Sequence, residues 1–127
     1  KNIWFVYDQL PIDGEYDASM PLFVIIQAKS RIEAATIAEI QTVVTFEIDE
    51  CVCCDSRWSL FPTECQTMGD VKHHVFQTFD MYMCRFSPTN TTVAIVPLDS
   101  KQVVIKVEDF FTKWQNFGCI ESVPMLY

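Results

Sequence analysis

Apolar residues form two nearly unbroken runs early in the chain, at residues 2–7 (Asn-Ile-Trp-Phe-Val-Tyr) and 21–28 (Pro-Leu-Phe-Val-Ile-Ile-Gln-Ala). A strand with one wet face alternates apolar and polar residues, so runs like these predict strands buried on both faces. Between them, Asp8, Pro11, Asp13, Gly14, Asp17 and Ser19 crowd into residues 8–20 and predict a loop. Ser30-Arg-Ile-Glu33 fits a capping box: the Ser30 hydroxyl can accept from the Glu33 amide while Glu33 reaches back. The helix it opens is expected over Arg31 to Gln41. Ala34, Ala35 and Ala38 favour helix and allow close packing. Its apolar positions spread widely around the wheel, which predicts a helix well covered by a sheet.

Further along, residues 43–48 (Val-Val-Thr-Phe-Glu-Ile) predict a third strand on β-propensity, and residues 62–70 a loop. Residues 73–86, rich in Val, Phe, Tyr and Met, read as one long strand or a hairpin. Ser87-Pro-Thr-Asn90 is a turn. Residues 91–97 and 102–107 predict two strands joined as a hairpin through Asp99-Ser-Lys101. Glu108 to Phe117 predicts a short helix stopped by Gly118, with Phe110, Phe111, Trp114 and Phe117 as a core-facing stripe. The tail Val123-Pro-Met-Leu-Tyr127 is expected to be extended at a sheet edge. These elements predict one α+β domain over residues 1–127. Its sheet is antiparallel or mixed, of about five or six strands, with one long helix and one short C-terminal helix.

Charge narrows the partners. Nine Lys and Arg face 17 Asp and Glu, for a net charge of −8. Direct binding to nucleic acid or an anionic membrane is disfavoured, because the phosphate contribution would be repulsive. Docking on a protein with a basic surface is favoured by the same charge. No apolar run reaches the ~18–20 residues of a membrane span, so none is expected. The expected compartment is a cytoplasm, where thiols stay reduced.

The most unusual stretch is Glu47-Ile-Asp-Glu-Cys-Val-Cys-Cys-Asp-Ser-Arg-Trp58. It holds three of the six cysteines, fenced by four carboxylates. Three chemistries fit it. Cys51, Cys53 and Cys54 can offer thiolates to zinc, with Cys65, His73 or His74 completing a tetrahedron, although Cys-x-Cys-Cys departs from the usual paired spacing. Neighbouring cysteines can also form a labile disulfide, but Asp49, Glu50 and Asp55 raise thiol pKa values and oppose activation. Cysteine is also a small buried hydrophobe, the reading preferred for Cys84 and Cys119. Arg57-Trp58 pairs a guanidinium with an indole, two groups enriched at binding hot spots; the plainer reading is a surface pair closing a turn.

Signs of catalysis are few. Gly14, Gly69 and Gly118 are the only glycines and make no phosphate loop. Metalloprotease, nucleophile-elbow, kinase and EF-hand patterns do not occur. The chain is therefore expected not to be an enzyme and to need no cofactor, zinc being the one candidate.

Two segments resemble known sequences. Phe23-Val-Ile-Ile-Gln-Ala-Lys-Ser-Arg-Ile-Glu-Ala-Ala-Thr-Ile-Ala-Glu39 resembles the strand-then-capped-helix opening of many small bacteriophage-encoded proteins. Cys51-Val-Cys-Cys-Asp-Ser-Arg-Trp58 resembles a Cys-x-Cys-Cys-(Gly)-Asp-Arg-Trp segment of small phage proteins of unassigned function. Here Asp55 follows Cys54 directly and Ser56 separates Asp55 from Arg57. The resemblance implies a phage accessory protein working in the host cytoplasm and carries no catalytic residue with it. The expected function is binding and blocking a host defence or nucleic-acid-handling protein. Asp49, Glu50 and Asp55 would cover its basic surface, and Arg57 and Trp58 would anchor it. A zinc-stabilised structural module or virion component is the alternative, and sequestration of a small signalling nucleotide a further one.

Overall fold

The computed structural model describes residues 2–45 and 57–113. Five strands form one mixed sheet in the order β3-β1-β2-β4-β5. They are β1 (Ile3–Asp8), β2 (Phe23–Ala28), β3 (Thr63–Cys65), β4 (Thr92–Val96) and β5 (Val103–Lys106). Three helices accompany them: α1 (Arg31–Gln41), α2 (Met68–Tyr82) and α3 (Val107–Lys113). The expected α+β class and mixed sheet are found. β1 and β2 pair antiparallel, Ile3 opposite Ala28 and Asp8 opposite Phe23. β2 and β4 pair parallel, Phe23 opposite Val93. The connection between them carries α1, β3 and α2.

The two early runs are strands with both faces covered, as their unbroken apolar sequence requires. Alternation sends Trp4, Val6, Phe23, Ile25, Val93 and Ile95 to one face and Phe5, Tyr7, Val24, Ile26, Ala94 and Val96 to the other. The first face clusters with Met68, Val71, Val75 and Phe79 of α2 and with Val107, Phe110 and Phe111 of α3. The second clusters with Ala34 and Ala38 of α1, with Val44 and with Trp58.

α1 has the predicted bounds and cap. Ser30 Oγ accepts from the Glu33 amide at 3.1 Å, and Glu33 reaches back to accept from the Lys29 amide at 2.9 Å. Its burial differs from expectation. Only Ala34 and Ala38 are fully buried, while Ile32 is 81% and Ile40 76% exposed. The apolar positions do spread around the wheel, but the sheet covers only the alanine side.

The largest correction concerns residues 62–86. The expected loop contains β3 and the start of α2, and the expected strand or hairpin at 73–86 is mostly helix. Met68, Val71, Val75 and Phe79 recur at helical spacing and are the buried stripe. Thr67 caps the helix, its hydroxyl accepting from the Asp70 amide at 3.1 Å. The β-propensity of Val, Phe and Tyr reflects half-buried packing and yields to this period and cap. Cys84, expected inside a strand, is exposed in the turn that follows α2.

Residues 43–45 are not strand, and the rest of the expected 43–48 strand lies outside the described residues. The β4–β5 hairpin, the 87–90 turn and the short helix are found. Trp114, Phe117, Gly118, Cys119 and the 123–127 tail lie outside the described residues.

Candidate functional site

The sheet ends at Asp8, and the chain leaves it through a loop folded on Gln9. This glutamine is a buried polar residue whose side chain is fully used. Its Nε2 donates to the Asp17 carbonyl at 3.1 Å and the Pro21 carbonyl at 3.0 Å, and its Oε1 accepts from the Asp17 amide. Asp13 and Gly14 both have positive φ, 53° and 78°, between Ile12 and Glu15, which exchange backbone hydrogen bonds of 2.9 and 3.0 Å. A two-residue turn with both φ values positive favours Asp-Gly, so the loop is a locally encoded hairpin tip.

Arg57 braces this loop. Its Nη1 donates to the Leu10 and Glu15 carbonyls at 3.0 Å each, with Gln9 Oε1 at 3.3 Å. Trp58 forms an isolated bridge with Gln9 and is 1% exposed, the largest fully buried side chain among the described residues. The two residues expected as surface anchors are thus a loop brace and a core residue here. As placed, Trp58 presents no indole to a partner.

Beside the loop lies a cleft of about 450 Å³ lined by Asp8, Gln9, Leu10, Pro11, Tyr16, His74, Thr78, Tyr82 and Met83. Its polar centre is a pair that sequence reasoning missed. His74 Nε2 lies 3.0 Å from Asp8 Oδ1 and 3.3 Å from Oδ2. An ionised carboxylate only accepts, so Nε2 carries the hydrogen. Each side chain keeps about a quarter of its surface exposed. Burial, and then the Asp8 charge, raise the Tyr16 hydroxyl pKa above its ordinary value, while Arg85 acts in the opposite direction. A strand over residues 73–86 gives no reason to bring His74 to Asp8, whereas α2 does. On α2, His73 is exposed, while His74 turns toward β1 and shares a helix face with Thr78, four residues on. The sequence signal was Thr67 and the period that follows it.

The other expected site residues separate. Cys65 lies on β3, buried in the α2-side core, and burial pushes its thiol up to about 11, with Asp70 and Asp8 adding to the rise. Among the described residues, no three His, Cys, Asp or Glu side chains cluster as a metal site. Cys51, Cys53, Cys54, Asp49, Glu50 and Asp55 lie outside the described residues. Among the described residues, no helix is long and apolar enough to cross a membrane.

The class is therefore an α+β domain with helices on both faces of a five-stranded mixed sheet. The chain belongs to the DUF7296 family, a domain of unknown function, which matches residues 2–110. No curated protein and no solved structure matches it.

Proposed function

We propose that this protein acts by binding rather than by catalysis, docking on a basic surface of another protein. The observation that carries the reading is α1, which buries its alanines and turns Ile32 and Ile40 outward. Scattered exposed apolar residues are ordinary. These two share one helical stripe with Thr36 and Glu39, all four exposed. Two exposed isoleucines flanking Thr36 and Glu39 suit a partner whose own small apolar patch is ringed by Lys and Arg. The net charge of −8 supplies the attraction at distance. The carboxylates Glu47, Asp49, Glu50 and Asp55 follow α1 in sequence and add to the acidic side of the proposal.

Together with the resemblance to small phage proteins, this supports an accessory protein that occludes a host defence or nucleic-acid-handling protein in the host cytoplasm. Affinity capture from host lysate tests it. A partner held at low salt and released at high salt is expected, since exposed charge contacts are screened within about 8–10 Å at physiological ionic strength. Capture of nothing that salt releases would contradict it.

A further inference from the structure

The Asp8–His74 cleft lies on the α2 side of the sheet, away from α1, and its chemistry is independent of the docking reading. Leu10, Pro11 and Met83 give it apolar walls, and Tyr16 and Tyr82 contribute phenol rings. The volume of about 450 Å³ falls in the range of small-ligand clefts. Among the described residues, Asp8 is the one acid lining it. A carboxylate offers about four lone-pair sites, and His74 engages it through a single ring nitrogen, so Asp8 keeps acceptor capacity. Among the described residues, no Lys or Arg side chain lines the cleft, although the charge of Arg85 reaches Tyr16 from beside it.

We propose that this cleft binds an organic cation, an alkylammonium or guanidinium group on an apolar stem. The charged head sits on the Asp8 carboxylate, and the stem lies along Tyr16 and Tyr82. Three physical arguments select a cation. An ionised Asp8 can only accept hydrogen bonds, and ammonium and guanidinium groups only donate them. Tyrosine faces attract cations within about 6 Å of the ring. The −8 charge concentrates cations and repels phosphates, so a nucleotide is the wrong ligand for this site. His74 serves as a positioning residue: its bond fixes the rotamer of Asp8 at the sheet end. Gln9 has no such role toward the ligand, because its amide is already spent on the loop.

A guanidinium can arrive as a free small molecule or as an arginine side chain of another protein. Two-dimensional NMR titration of the whole chain separates these. The probes are n-butylguanidinium chloride, the blocked tripeptide acetyl-Gly-Arg-Gly-amide, and sodium pentanoate as an anion of similar length. Shift changes centred on Asp8, Tyr16, His74, Thr78 and Tyr82 are expected with the two cations and not with pentanoate. Affinity should fall about tenfold or more in Asp8→Asn, the equivalent of about 1.4 kcal/mol. Tyr82 is 62% exposed, so Tyr82→Ala leaves the fold intact and provides a second test; it should weaken both cations severalfold. Butylguanidinium binding as well as the peptide or better supports a free ligand. A peptide at least about tenfold tighter supports an arginine of another protein. Three results would overturn the proposal: no shift change with either cation, equal response to pentanoate, or binding that neither variant weakens.

Discussion

On one face of the sheet, Met68, Phe79, Phe110 and Phe111 cluster with Trp4, Phe23 and Ile95; on the other, Ala34 and Ala38 are the fully buried helix residues that join Phe5, Val24 and Val96, with Ile37 half-buried beside them. The α2–α3 side fills its space with long side chains from the helices. Phe111 packs edge-on to Phe76 and Phe79, with ring centroids 5.6 and 6.2 Å apart. The α1 side has small residues facing the sheet, which let a helix approach closely, and it takes its bulk from Trp58 instead. A helix that packs through alanines has its larger residues left over for its outer side. Ile32 and Ile40 stand on that outer side, and the difference between the two faces separates a helix seated through long side chains from one seated mainly through small ones.

The largest effect should come from removing the bulk on the α1 side. Trp58→Ala should cost about 3–5 kcal/mol in urea unfolding, the range for deleting a buried aromatic. A cost below about 1 kcal/mol would place the indole outside the core. Next, Ala38→Leu should cost about 1–3 kcal/mol, because it pushes α1 off a well-packed sheet. A neutral result would mean that α1 does not lie close.

A third effect separates the faces by pH. Burial raises the Tyr7 hydroxyl on the α1 face to about 12 and the Cys65 thiol on the α2 face to about 11, from ordinary values of 10.0 and 9.0. Both groups hold their proton longer folded than unfolded. Their stabilising contribution is complete below the unfolded pKa and is lost as pH rises through the folded one. Unfolding free energy should therefore fall from about pH 9 upward. Cys65→Ala should remove the earlier part of that fall, between about pH 9 and 11, and leave the later Tyr7 part. A slope unchanged by the substitution would show that Cys65 is not held this way.

Much of this architecture was legible in the sequence where local signals agreed. β1, β2 and the β4–β5 hairpin could be read from apolar runs and turn residues. α1 could be read from the Ser30 and Glu33 box. Where composition and period pointed apart, composition misled: the Val, Phe and Tyr content of residues 73–86 outweighed the Met68, Val71, Val75, Phe79 stripe and the Thr67 cap. That error also hid the cleft, since Asp8 and His74 lie 66 positions apart and meet only if α2 is a helix packed beside β1. Arg57 and Trp58, expected as surface anchors, sit instead against the loop carbonyls and in the core. A guanidinium with several donors can brace loop carbonyls as well as grip a partner, and nothing local distinguishes the two. Outward isoleucines on α1 could not be read from the helix alone, because the alanine side and the isoleucine side are both apolar.

The most direct test of the docking account pairs stability with capture in one double variant, Ile32→Ser with Ile40→Ser. Both side chains are mostly exposed, so the unfolding free energy should change by no more than about 0.5 kcal/mol per site. The salt-sensitive host partner should no longer be recovered. An unchanged partner at unchanged stability would contradict the claim that α1 presents the docking face. A loss of several kcal/mol, about what burial of two isoleucines supplies, would show that these residues build the core after all.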